Sequence, residues 1–131
     1  MNGTLVYEDY LSLYKNNKIK SLSFKKLQIQ PSSIDLSLSE ECYEIKTSFL
    51  SPDCKVRDKL KQIYAKKISL KKSKIFKKNK TYIVKLNETL NLSNSLSGHC
   101  NPKSSTGRLN IFCRTILDFC DEYEKIPKNY N

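Results

Sequence analysis

Arginine is scarce in this chain: Arg57, Arg108 and Arg114 are the only three among 24 Lys+Arg. No apolar run of about 18 residues occurs, and no apolar stretch of a signal peptide precedes the first charged segment. Neither a membrane span nor export is indicated, and a cytoplasmic protein is expected. The five cysteines, Cys42, Cys54, Cys100, Cys113 and Cys120, form no C-x-x-C pair, and the only histidine, His99, adjoins Cys100. A tetrahedral zinc site needs ligands clustered at short spacing, so zinc is not expected. Small buried thiols in a reducing compartment are the expected role. The phosphate-loop pattern GxxxxGK(S/T) is also absent.

What is present is lysine. With 13 Asp+Glu the formal net charge is +11 over 131 residues. A surface of that sign suits polyanions such as nucleic acid, anionic lipid or phosphorylated small molecules. An excess of lysine, asparagine and isoleucine also follows from an AT-rich genome, so the placement of the few arginines says more than the total. The lysines of residues 66–80 lack regular aromatic interleaving and read as a solvated face, so nucleic acid is not an expected partner.

The length fits one domain over residues 1–131. Tyr7, Tyr10, Leu11 and Tyr14 have helical spacing, with Thr4 as a possible cap and "NNK" at 16–18 as the stop. Ile34, Leu36 and Leu38 alternate with Asp35 and Ser37, which predicts a strand with one buried face after Pro31. "CYEIKTSFL" (42–50) predicts a second strand, and "VRDKLKQIY" (56–64) a short helix through Val56, Leu60, Ile63 and Tyr64. Residues 66–80 read as loop with one small strand; "TYIVKL" and "ETLNLS" read as strands. The sum is a mostly β domain with helical additions.

The segment "NPKSSTGRLNIFCR" (101–114) gathers one lysine, three hydroxyls, one glycine and one arginine before turning apolar. Ser104 or Ser105 suits an N-cap, and Leu109, Phe112, Cys113 and Ile116 follow at helical spacing, which predicts a helix there. Free N–H groups at its start, the serine hydroxyls, Lys103 and the fork of Arg108 have the composition of a phosphate cradle. A basic, capped helix start with no ligand is the alternative these residues leave open.

Taken with "IQPSSIDLSL", "TYIVKLNETLNL" and "FCRTILD", the stretch "PKSSTGRL" resembles the 2′-deoxycytidine 5′-triphosphate deaminase family, in its longer bacterial form. The resemblance runs in consistent order from about residue 18 to Asn131. It implies the distorted β-barrel shared with trimeric dUTPases, and hydrolysis of dCTP to dUTP and ammonia, with some relatives continuing to dUMP. It implies triphosphate contacts at Lys103, Ser104, Ser105 and Arg108, a loop shaped by Thr106 and Gly107, and Ser104 as the hydroxyl nearest the reacting base. Mg2+ is implied with the triphosphate, and a homo-oligomer, a trimer, as the assembly.

Zinc deaminases need H-x-E and P-C-x-x-C, which do not occur here. The resembled family instead activates water with a glutamate acting as general base. That glutamate follows a turn of the type "IPxxY", here "IPKNY" at 126–130, and would fall after Asn131. The resemblance thus implies a domain truncated at its C-terminus and lacking its general base. For the sugar contact it offers Glu124, where the family carries an aspartate, with Asp118 as the neighbouring alternative. Asp35, inside the strand motif, reads as structural. The competing expectation is a non-catalytic, nucleotide-binding or oligomer-forming remnant of the family.

Overall fold

A computed structural model describes residues 3–72, 74–93 and 95–131. Helix α1 (Tyr7–Lys15) leads into strand β1 (Ile19–Ser21), and a single 3-10 turn (Lys26–Gln28) precedes β2 (Leu38–Ile45). Helix α2 (Val56–Gln62) then connects to β3 (Lys66–Ser69), β4 (Thr81–Leu86) and β5 (Glu88–Leu90). The chain ends in β6 (Gly98–His99), helix α3 (Ser104–Arg108) and β7 (Lys125–Ile126). Every pairing is antiparallel: β3-β2-β4 with β2 central, β1 with β5, and β6 with β7. The mostly β expectation holds among the described residues.

The helices end without the residue that most often ends helices. None of the chain's three glycines has a positive φ, yet each helix closes on a left-handed residue: Asn17 (55°), Tyr64 (51°) and Asn110 (56°). In each case two N–H groups turn back. Asn17 and Lys18 bond to Tyr14 and Leu13, Tyr64 and Ala65 to Lys61 and Leu60, and Asn110 and Ile111 to Gly107 and Thr106. These are Schellman closures, built on asparagine twice and on tyrosine once. Asparagine tolerates this conformation, whereas a residue such as tyrosine is strained there by about 1–2 kcal/mol.

The closure at Asn110 corrects the helix predicted through Ile116. The helix stops at Arg108, and Leu109 and Phe112 are 72% and 88% exposed rather than packed. Its N-cap is Lys103, neither Ser104 nor Ser105. Other boundaries also differ. The cap of α1 is Val6, whose N–H is accepted by the Asp9 carboxylate at 2.9 Å, and Thr4 has no part in it. Residues 34–37 form no strand: Ile34 makes one bridge to Ile29, and the Asp35 N–H goes to the Gln28 carbonyl instead of a ladder. The second predicted strand begins earlier, at Leu38, and ends at Ile45.

The buried apolar residues are Ile19, Ile29, Cys42, Ile45, Leu60, Leu92, Leu117 and Cys120. Cys42 is wholly buried where β2 meets Ile68 of β3 and Val84 of β4. Burial pushes the thiols of Cys42 and Cys100 up, which keeps them protonated and inert. All five cysteines are free. In β6, Gly98 lets Ile126 approach: an added Cβ would stand 3.2 Å from Ile126 Cδ1. No helix among the described residues is long and apolar enough to cross a membrane.

Candidate functional site

Pro102 and Lys103 deliver the chain from β6 to α3, and the short helix presents Lys103 and Arg108 at its two ends. The hydroxyl of Thr106 turns inward and donates to the Lys103 carbonyl at 2.6 Å, closing the first turn. Ser104 is exposed and Ser105 half-buried, and among the described residues neither hydroxyl has a protein partner. Arg108 is exposed at the last helical position and likewise makes no ion pair among the described residues. Gly107 is not required by the loop itself: its φ is not positive and an added Cβ would meet nothing within 4 Å. The space beside it is open.

Lys103 does have a partner. Its ammonium lies 2.5 Å from Asp35 Oδ2, across 68 residues of sequence. Asp35 in turn is held through its backbone, donating its N–H to the Gln28 carbonyl (2.8 Å) and accepting from Gln28 Nε2 (2.9 Å). Gln28 Nε2 also donates to Glu88 at 2.9 Å, and its Oε1 accepts the Lys25 N–H at 2.8 Å, so the amide is used on both sides.

Glu88 is the anchor of this network and was not singled out by its sequence context. It is 8% exposed. One carboxylate oxygen accepts from Ser37 Oγ (2.7 Å), Gln28 Nε2 (2.9 Å) and Ser21 Oγ (3.4 Å), and the other from the Ser37 N–H (2.9 Å). Burial alone raises its pKa, but the bonds from Ser37 and Gln28 outweigh that and hold the group below the usual glutamate range.

The two carboxylates considered for a sugar contact are placed differently. Glu124 stands at positive φ (67°), with Oε1 3.3 Å from Arg114 Nε and Oε2 3.9 Å from His99 Nε2. Its carbonyl accepts the Cys100 N–H at 2.7 Å, which ties it to the strand leading into α3. Arg114 also lies over the Tyr123 ring, 4.5 Å from its centroid. Asp118 faces elsewhere: its Oδ1 accepts the Val56 N–H at 2.7 Å, at the start of α2. The IPKNY turn is fastened to the body as well. The Tyr130 hydroxyl accepts the Asp118 N–H at 3.0 Å, its carbonyl accepts the Leu92 N–H at 2.8 Å, and burial raises the phenol's pKa.

The structure thus joins Lys103 to Asp35 and Glu124 to Arg114, and assigns Asp118 to a helix start. Among the described residues no group of three or more His, Cys, Asp or Glu side chains could hold a metal ion.

The family model of the 2′-deoxycytidine 5′-triphosphate deaminase N-terminal domain matches residues 1–131. The fold superposes on the crystal structure of 2′-deoxycytidine 5′-triphosphate deaminase from Agrobacterium tumefaciens with a TM-score of 0.93 and 37% sequence identity. That match covers 98% of this chain and 39% of the Agrobacterium chain. No curated protein matches the sequence. With the family model matching residues 1–131 of this sequence, the chain belongs to the 2′-deoxycytidine 5′-triphosphate deaminase family.

Proposed function

We propose that this chain supplies the triphosphate grip of a dCTP deaminase, the hydrolase that converts dCTP to dUTP and ammonia. One observation carries the reading. In a member of this family, two serine hydroxyls and a guanidinium stand unpartnered among the described residues on one short helix, in the order Ser104, Ser105, Arg108. Arg108 would take two phosphate oxygens through its fork, the serine hydroxyls would donate to others, and Lys103 would add a point charge. Thr106, already bonded to Lys103, shapes the turn, and the open space beside Gly107 admits an oxygen close to the backbone. Ser104, at the exposed start of α3, is the hydroxyl that would lie nearest the reacting base.

Mg2+ would accompany the nucleotide. It keeps several waters and is commonly held by phosphate oxygens with one or two carboxylates. The triphosphate would be its main ligand, and the metal would neutralise phosphate charge. The assembly proposed is a homo-oligomer, a trimer, in the cytoplasm. Leu109, Ile111 and Phe112, 72%, 50% and 88% exposed, offer it an apolar surface.

A second reading, nucleotide binding without turnover, is favoured by the state of the acids. In the free protein Asp35 is paired with Lys103 and Glu124 with Arg114, and Asp118 accepts the Val56 N–H, so each of the three already has a structural partner.

Calorimetric titration with dCTP and Mg2+ tests the grip. Arg108→Ala is expected to weaken binding by about 1.5–3 kcal/mol, the range for hydrogen bonds to a charged group. Equal affinity in the two proteins contradicts the assignment. Ammonia release from dCTP, measured on the same sample, separates the two readings.

A further inference from the structure

We propose that Asp35 is a specificity-determining residue that makes Lys103 available only to a polyphosphate. This inference rests on the nucleotide reading of residues 103–108. The two cations of the segment are not equivalent in the free protein. Arg108 has no ion pair among the described residues, whereas Lys103 is neutralised by Asp35 at 2.5 Å. The pair is also asymmetric. The lysine side chain is 65% exposed and the aspartate 35%.

Asp35 is the fixed member. Its N–H and carbonyl are both bonded to Gln28, and Gln28 is bonded to the buried Glu88. The ammonium, on a flexible four-carbon stem, is the member that can leave. An incoming anion therefore meets Arg108 first. To use Lys103 it must draw the ammonium away or sit beside the carboxylate. An anionic oxygen about 5 Å from that carboxylate loses about fourfold in affinity per unit charge, even at the dielectric of water. A ligand with one phosphate reaches Arg108 and gains nothing from Lys103. A triphosphate spans both cations and carries enough charge to take the lysine.

The test is titration of the 131-residue chain with tripolyphosphate and, separately, with inorganic phosphate, with EDTA present. Asp35→Asn keeps the backbone bonds and is expected to tighten tripolyphosphate about three- to tenfold, the size of the repulsion removed. Asp35→Ala, checked for folding by circular dichroism, should act in the same direction. In a Lys103→Gln background the gain should shrink, because the direct repulsion from Asp35 is still removed but no ammonium is released from the pair. Unchanged or weaker binding by both Asp35 variants overturns the proposal, as does a gain that is undiminished without Lys103. If Arg108→Ala weakens tripolyphosphate binding while the Asp35 variants do not alter it, the nucleotide reading stands and this inference fails. If tripolyphosphate does not bind, or binds equally well to Arg108→Ala, both fail.

Discussion

Replacing Glu88 by glutamine removes one charge and one acceptor from a buried carboxylate that takes four donors. The carboxylate oxygen Oε2 accepts the Ser37 N–H, and Oε1 accepts Ser37 Oγ, Gln28 Nε2 and Ser21 Oγ. If the new amide nitrogen takes the first position, it faces a backbone donor and leaves the Ser37 N–H unpaired. If it takes the second, it faces the Gln28 amide, which can turn only by giving up the Asp35 carbonyl and the Lys25 N–H. The first arrangement costs less. An unpaired buried donor costs about 1–3 kcal/mol, and bonds that lose their charged acceptor weaken further, for a total of about 2–4 kcal/mol.

The pH dependence follows from the direction of the shift. Glu88 is held below the usual glutamate range, so its contribution is fully present above the unfolded-state pKa of about 4.3. It is lost as pH falls through the lower folded-state value. Urea unfolding of wild type and Glu88→Gln at pH 7, 5, 4 and 3 measures both effects. The gap between the two proteins should be widest at pH 7 and narrow toward pH 3. A gap below about 0.5 kcal/mol at pH 7, the scatter of ordinary surface changes, refutes the anchoring role. A gap that stays constant with pH refutes the linkage.

Tyr64→Gly should raise stability by about 1 kcal/mol, because glycine adopts the left-handed cap of α2 without the tyrosine's strain. The side chain is 94% exposed and little packing is lost; a lower melting temperature would show that the tyrosine is held by contacts outweighing that strain. Asp118→Ala should cost about 1 kcal/mol by removing the carboxylate that accepts the Val56 N–H at the start of α2. It should leave dCTP affinity unchanged, and weakened nucleotide binding in a folded Asp118→Ala protein would restore Asp118 as a sugar contact.

The elements legible in the sequence are those whose signal is local. Helices α1 and α2 show the 3.6-residue spacing directly and β4 is a run rich in β-formers, so all three lie within a few residues of their expected places. The two-residue alternation of Ile34, Leu36 and Leu38, by contrast, marks no strand at 34–37. The error at α3 was one of length. Leu109, Phe112, Cys113 and Ile116 keep helical spacing, but Asn110 takes the left-handed cap position that glycine usually marks, so the stop signal was disguised. Strands β1, β6 and β7, of two or three residues each, are too short to show a period.

The proposed phosphate segment, residues 103–108, stands out in the sequence because it is contiguous. Its supporting shell does not. Asp35 lies 68 residues from Lys103, and Glu88 lies 51, 60 and 67 residues from Ser37, Gln28 and Ser21. Contacts across such separations leave no pattern in a single sequence.

The central claim is that residues 103–108 receive the phosphates of dCTP, and backbone amide chemical shifts in a titration with dCTP and Mg2+ test it most directly. The account predicts that the amides of Ser104, Ser105, Thr106, Gly107 and Arg108 shift together and saturate with a common dissociation constant. Shifts confined to the lysine-rich face of residues 66–80, with the 103–108 amides unmoved at saturation, would contradict it.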